Sequence, residues 1–183
     1  MKALPYGISD FPRIMRESYY YVDKTRFIEL IEQQPSYLFL IRPRRFGKSL
    51  FLAMLETYYS IDYADQFAEL FGDLYIGQHP TVRHNKYLIL RFNFSEVKSR
   101  PEELEQKFGD YCCMVMRAFI IKYEHLLGNN VWRIVNPNET DPGQILSMLK
   151  FYILSFCIFS HSRMRYFRTI SYANSNNETN FNK

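Results

Sequence analysis

The stretch Tyr37-Leu38-Phe39-Leu40-Ile41-Arg42-Pro43-Arg44-Arg45-Phe46-Gly47-Lys48-Ser49-Leu50 decides how the rest of the sequence is read. Its first five residues form a continuous apolar run of strand length, the pattern expected where both faces of a parallel sheet are covered. Pro35 stands just before it and closes the preceding helix. Beyond it, Leu50, Phe51, Met54, Leu55 and Tyr58 recur at helical spacing, which predicts a helix from about Lys48 to Tyr59. Strand, basic turn and helix are therefore expected in direct succession.

In that place Gly47-Lys48-Ser49 matches the end of the phosphate-binding pattern GxxxxGK[ST], the Walker A loop, with Arg42 where its first glycine would stand. Gly47 lets the backbone pass close to an anion, and the N–H groups of the first helical turn point at it. Lys48 would neutralise β and γ phosphate oxygens, and Ser49 would place its hydroxyl on Mg²⁺. Arg42, Arg44, Arg45 and Lys48 put four positive charges within seven residues, with Phe46 among them. Such a cluster opposes the dipole at a helix N-terminus unless an anion sits there. It also suits a nucleic-acid backbone, so a nucleic-acid-binding module is the second reading. The plainest alternative is a solvated basic turn, against which the flanking strand and helix weigh.

Working outward, Asp23-Lys24-Thr25 precedes Phe27, Ile28, Leu30 and Ile31, which predicts a short helix to about Gln34 with Asp23 as its cap. Gly7 to Tyr21 shows no clean period and reads as irregular. Tyr63 to Phe71 suits a short helix, and Tyr87 to Asn93 a second strand. From Pro101 to Leu127, Leu104, Phe108, Tyr111, Val115, Phe119 and Ile120 suggest the buried stripe of a long helix that Gly128 stops. Pro142 to Lys150 suits a further helix, and Phe151 to Phe159 fits either a strand or its continuation. The expected architecture is α/β, a partial P-loop NTPase fold over residues 1–160 with helices flanking a parallel sheet. A polar tail over 161–183 is expected to be disordered.

Composition bounds the function. With 183 residues and 47% hydrophobic side chains, the chain can bury one real core but hardly two. A net charge of +4 is too small to imply a nucleic-acid partner by itself. Cys112, Cys113 and Cys157 give neither a disulfide ladder nor a metal spacing, and the four histidines have no ligand spacing. Cys112 and Cys113 read as core residues of the long helix. No secretory signal opens the chain, and Phe151 to Phe159 is too short to span a bilayer, so a cytoplasmic protein without a membrane partner is expected.

Three stretches together resemble one family. Gly7-Ile8-Ser9-Asp10-Phe11, Tyr21-Val22-Asp23-Lys24-Thr25 and Arg42 to Leu50 fall in the order of the AAA-ATPase-like proteins, whose ATPase domain is commonly followed by a PD-(D/E)XK nuclease-like domain. In that family an arginine at the position of Arg42 is usual. The resemblance extends more weakly through Leu70 to Ile76 and Phe92-Asn93-Phe94-Ser95. It implies ATP with Mg²⁺ as ligand, held by Arg42, Arg44, Arg45, Phe46, Gly47, Lys48, Ser49 and Leu50, with Asp23 and Lys24 near the nucleotide. Asp23 as a mere helix cap is the competing reading. Family members also carry a Walker B strand ending in acids, whereas no hydrophobic run in this chain ends in Asp-Glu. The departure implies a shortened member, through a frameshift, a premature stop or a mis-set gene boundary from about Phe151. Binding without hydrolysis is then expected, and an inactive fragment is the third reading.

Overall fold

The computed structural model describes residues 2–34, 38–41, 43, 45–128, 130–134 and 141–149. Helices dominate: α1 (Phe11–Arg16), α2 (Phe27–Glu32), α3 (Lys48–Tyr59), α4 (Phe67–Phe71), α5 (Tyr75–Gln78), α6 (Leu104–Leu127) and α7 (Val131–Ile134), with 3-10 turns at Ile61–Gln66, Phe94–Glu96 and Pro101–Glu103. A further helix covers 142–149. The chain divides into two compact units, the first ending at Ile89 and the second beginning at Leu90.

The first unit is organised around aromatic rings. Phe11 is fully buried and packs at 5.4 Å from Tyr21 and 5.0 Å from Phe71. Tyr58 of α3 meets Phe71 edge-on at 5.5 Å, and Phe67 stacks on Phe71 at 5.3 Å. Deleting a ring such as Phe11 would cost about 3–5 kcal/mol, because the cavity could not collapse. α3 runs over the expected residues and buries Met54, Leu55, Tyr58 and Tyr59. Glu32 then ties α2 to this layer, accepting from Tyr59 Oη (3.1 Å) and Thr81 Oγ1 (2.8 Å). Gly77 is needed where the chain folds back, since a Cβ there would lie 1.8 Å from the Phe71 carbonyl oxygen.

α1 replaces the irregular segment expected there. Asp10 caps it, accepting from Arg13 N at 2.9 Å, and Pro12 fills its first turn.

The expected parallel sheet, and with it the α/β P-loop fold, does not form: the described residues contain no β-strand. Leu38–Ile41 takes no regular secondary structure, and Phe39 is 89% and Ile41 90% exposed, so it is no buried central strand. The second expected strand meets the end of α3 at its first residue, Tyr87. Asn85 N donates to Tyr58 O, Tyr87 N to Tyr59 O, and Ile61 N to Tyr87 O, leaving a Ser60–Tyr87 bridge in place of a ladder. A helix end presents unpaired carbonyls, and here the extended chain supplies their donors. Backbone groups satisfied in that way are not available to a neighbouring strand.

In the second unit α6 follows Pro101 and ends at Gly128 (φ 78°). It buries Cys112, Cys113, Met116, Phe119, Ile120, Tyr123 and Leu127. The predicted stripe is thus corrected in its first half, where Leu104 and Phe108 are exposed. Phe108 does contact Phe94 at 5.2 Å, and Tyr111 Oη accepts from Asn93 N at 2.7 Å. The stretch Phe151–Phe159, Cys157 and the tail from 161 lie outside the described residues.

Candidate anion site at the head of α3

Two left-handed residues turn the chain into α3, Arg45 at φ 64° and Gly47 at φ 73°. Gly47 is the N-cap and brings no capping side chain, and the first turn of the helix holds no acidic residue. The first N–H groups of a helix have no intrahelical acceptor and carry the positive end of its dipole. Lys48 adds a cation to that end, which is unfavourable for the helix alone. Arg45, Phe46 and Gly47 are exposed, while Lys48, Ser49 and Leu50 are half-buried.

A second segment arrives at the same point. The Lys24 ammonium lies 3.9 Å from where a Cβ on Gly47 would be, so a further cation meets the turn at its glycine. The neighbours of Lys24 fix its backbone. Asp23 Oδ1 accepts from Thr25 N (2.8 Å) and Thr25 Oγ1 (2.7 Å), while Oδ2 accepts from Tyr75 N (2.8 Å) at the start of α5. Thr25 is fully buried, and its Oγ1 accepts from Ile76 N at 3.2 Å. Burial, and then the nearby Asp23 carboxylate, push the Tyr21 phenol above its ordinary value.

The structure therefore brings Lys24, Arg45, Phe46, Gly47, Lys48, Ser49 and Leu50 to one end of one helix. Asp23 stands beside them with both carboxylate oxygens engaged in the α5 connection. Arg42 and Arg44 lie outside the described residues. Thr25, Tyr75 and Ile76 fall in stretches that carry the resemblance, but their role as supports of Asp23 and Lys24 is seen only in the structure. The local Asp-x-Thr spacing signals the turn, but its partner backbone is 52 residues away. The Walker A and P-loop assignment is corrected with the sheet: the residues described before the turn form no strand and are largely exposed, so no strand–loop–helix unit stands among the described residues.

No group of three or more His, Cys, Asp or Glu side chains able to hold a metal occurs among the described residues. Ser49 alone does not make a Mg²⁺ site, since that ion takes carboxylates, waters and phosphate oxygens in an octahedron.

The fold and site define a mainly helical chain that gathers cations at an exposed helix N-terminus. It belongs to the AAA-ATPase-like family, whose profile, described as "Predicted AAA-ATPase", matches residues 5–156. It is also similar to a protein of Azotobacter chroococcum mcd 1 described as an "Uncharacterized protein in vnfD 5'region", with 56% identity over 122 residues. That alignment covers 60% of this chain and 20% of the relative, so the chain spans about a fifth of the relative's length. No solved structure matches. No helix among the described residues is long and apolar enough to cross a membrane.

Proposed function

We propose that this chain binds a nucleoside triphosphate, with ATP as the expected ligand, at the head of α3. The observation that carries this reading is the approach of Lys24 to Gly47, which adds a cation to a helix end already bearing Lys48 and Arg45. Cations converging on the positive end of a helix dipole favour an anion there, and a polyphosphate can meet several such donors at once. Membership of the AAA-ATPase-like family supports a nucleotide as that anion.

In this reading the first-turn N–H groups and Lys48 hold phosphate oxygens, Lys24 and Arg45 approach from the side, and the exposed Phe46 ring lies beside the ligand. Arg42 and Arg44 are proposed to extend the same cluster. Mg²⁺ would be carried by the polyphosphate, with the Ser49 hydroxyl as one further oxygen, and it supplies charge neutralisation when bound. Binding rather than hydrolysis is the activity proposed, because no hydrophobic run in the chain ends in the acids that would orient water.

Calorimetric titration with Mg·ATP tests this. Lys48→Ala should weaken binding at least roughly tenfold, the scale of one lost charge-assisted contact, with an unchanged circular dichroism spectrum. Undiminished binding by that variant would refute the reading. Affinity for single-stranded nucleic acid instead, falling steeply with salt, would move the same cations to the other ligand.

A further inference from the structure

We propose that Asp23 and Thr25 are positioning residues for Lys24: they hang its backbone on the first two N–H groups of α5, so that the affinity of the head of α3 for phosphate depends on the docking of α5. The proposal rests on the nucleotide reading above.

α5 begins without a cap of its own. Leu74, its N-cap, makes no side-chain hydrogen bond, and the first N–H groups of a helix have no intrahelical acceptor. Both acceptors come from a distant segment. Asp23 Oδ2 accepts from Tyr75 N at 2.8 Å, and Thr25 Oγ1 accepts from Ile76 N at 3.2 Å, across 52 and 51 positions. The Thr25 hydroxyl in turn donates to Asp23 Oδ1 at 2.7 Å, which fixes its orientation. α2 takes no cap from Asp23, since its N-cap is Arg26 and has no side-chain bond. The carboxylate and the hydroxyl on either side of Lys24 therefore serve α5.

α5 is in turn fixed to the core that carries the phosphate turn. Leu74 and Ile76 are buried in the same cluster as Met54, Leu55 and Tyr58 of α3. The Lys24 backbone and the Gly47 turn are thus referred to one packed layer from two sides. Among the described residues no carboxylate pairs with the Lys24 ammonium, so no ion pair sets its place 3.9 Å from the Cβ position of Gly47. A lysine is a charge on a flexible stem, and its reach is decided by where its backbone is held. Holding it beforehand raises affinity by cutting the ordering cost of binding. The plainer account is that the two residues only cap α5, which predicts a loss of stability and no specific loss of nucleotide affinity.

The variant that separates these accounts is Tyr75→Pro, compared with Tyr75→Ala. Both lose the ring, and proline alone also loses the N–H that Asp23 accepts. Proline suits the first position of a helix, and Leu74 before it has φ −99° and ψ 160°, the extended backbone that precedes a proline. Calorimetric titration of the full chain with Mg·ATP should find Tyr75→Pro about three- to tenfold weaker than Tyr75→Ala, the worth of one hydrogen bond. In a Lys24→Ala background, itself weakened roughly tenfold, the same comparison should differ by less than about twofold, because both changes act through one ammonium. A second measurement needs no variant and stands even if Tyr75→Pro fails to fold. Hydrogen exchange at the Tyr75 and Ile76 amides of the wild-type chain should slow on adding Mg·ATP, since coupling between binding and docking is reciprocal. Equal binding by the proline and alanine variants, a proline deficit that persists in full without Lys24, or exchange at these amides that Mg·ATP leaves unchanged overturns the proposal while the nucleotide reading stands. A wild-type chain that binds no Mg·ATP overturns that reading and this proposal with it.

Discussion

The Lys24 ammonium rests 3.9 Å from the place that a Cβ on Gly47 would take, joining two segments that the sequence separates by 22 other residues. That distance is ordinary van der Waals contact, so alanine would fit at 47 in space. It would not fit in conformation, because φ is 73° there.

Gly47→Ala is accordingly expected to cost about 1–2 kcal/mol through left-handed strain, and to weaken Mg·ATP binding by displacing the turn. Gly7 supplies the control: its φ is 72° and nothing lies within 4 Å of its Cβ position. Gly7→Ala should lower the melting temperature similarly and leave nucleotide affinity alone. Thermal melts and titrations on the two variants check both halves, and an equal loss of affinity in both would argue for a global effect.

Asp23 offers a test of positioning. Its carboxylate holds Thr25 and the first N–H of α5 in three bonds of 2.7–2.8 Å. Asp23→Ala should destabilise the chain by about 1–3 kcal/mol, the range for stranding donors in a structured turn. Asp23→Asn, which keeps one carbonyl oxygen, should lose less. Urea unfolding midpoints measure this, and a midpoint unmoved in Asp23→Ala would show that the three bonds contribute nothing net.

Alkaline pH tests the packing of Tyr21. Burial and Asp23 raise its phenol in the folded chain above the unfolded value of about 10. Above that value the unfolded state loses the proton while the folded state keeps it, so stability falls as pH rises toward the folded value. Below the unfolded value this contribution is fully present. Tyr21→Phe should therefore flatten the decline in melting temperature above about pH 10, measured by fluorescence or dichroism, and an unchanged decline would assign the alkaline loss elsewhere.

What could be read from the sequence was local. The α3 stripe from Leu50 to Tyr58 was legible because a 3.6-residue period needs no knowledge of the partner surface. α1 was also legible in principle, in Asp10 followed by Pro12, but its six residues are too few for a period to show. The sheet was misread for a physical reason. The runs Tyr37 to Ile41 and Tyr87 to Asn93 announce apolar character, whereas a ladder depends on which backbone arrives alongside. At Tyr87 that backbone is the end of α3. Leu104 and Phe108 were assigned to the core because spacing alone cannot tell one apolar face of a helix from two.

The candidate site divides in the same way. Gly47, Lys48 and Ser49 were visible as a tripeptide before an amphipathic helix. The link from Asp23 to Tyr75 spans 52 positions and is encoded in no local pattern, only in the burial of Phe11, Ile28 and Phe71 that brings the segments together.

The run Leu38-Phe39-Leu40-Ile41, with Leu38, Phe39 and Ile41 exposed, bears on how the protein behaves in concentrated solution. An apolar segment at the surface that is paired in no sheet can, once extended, serve as a template on which other chains add. Arg42, Pro43, Arg44 and Arg45 follow it immediately in the sequence. Proline cannot donate to a growing ladder, and like charges stacked in register repel, so residues of this kind oppose such addition. The basic run proposed to attract phosphate would then also work against self-association, and neutralising it would trade one property against the other.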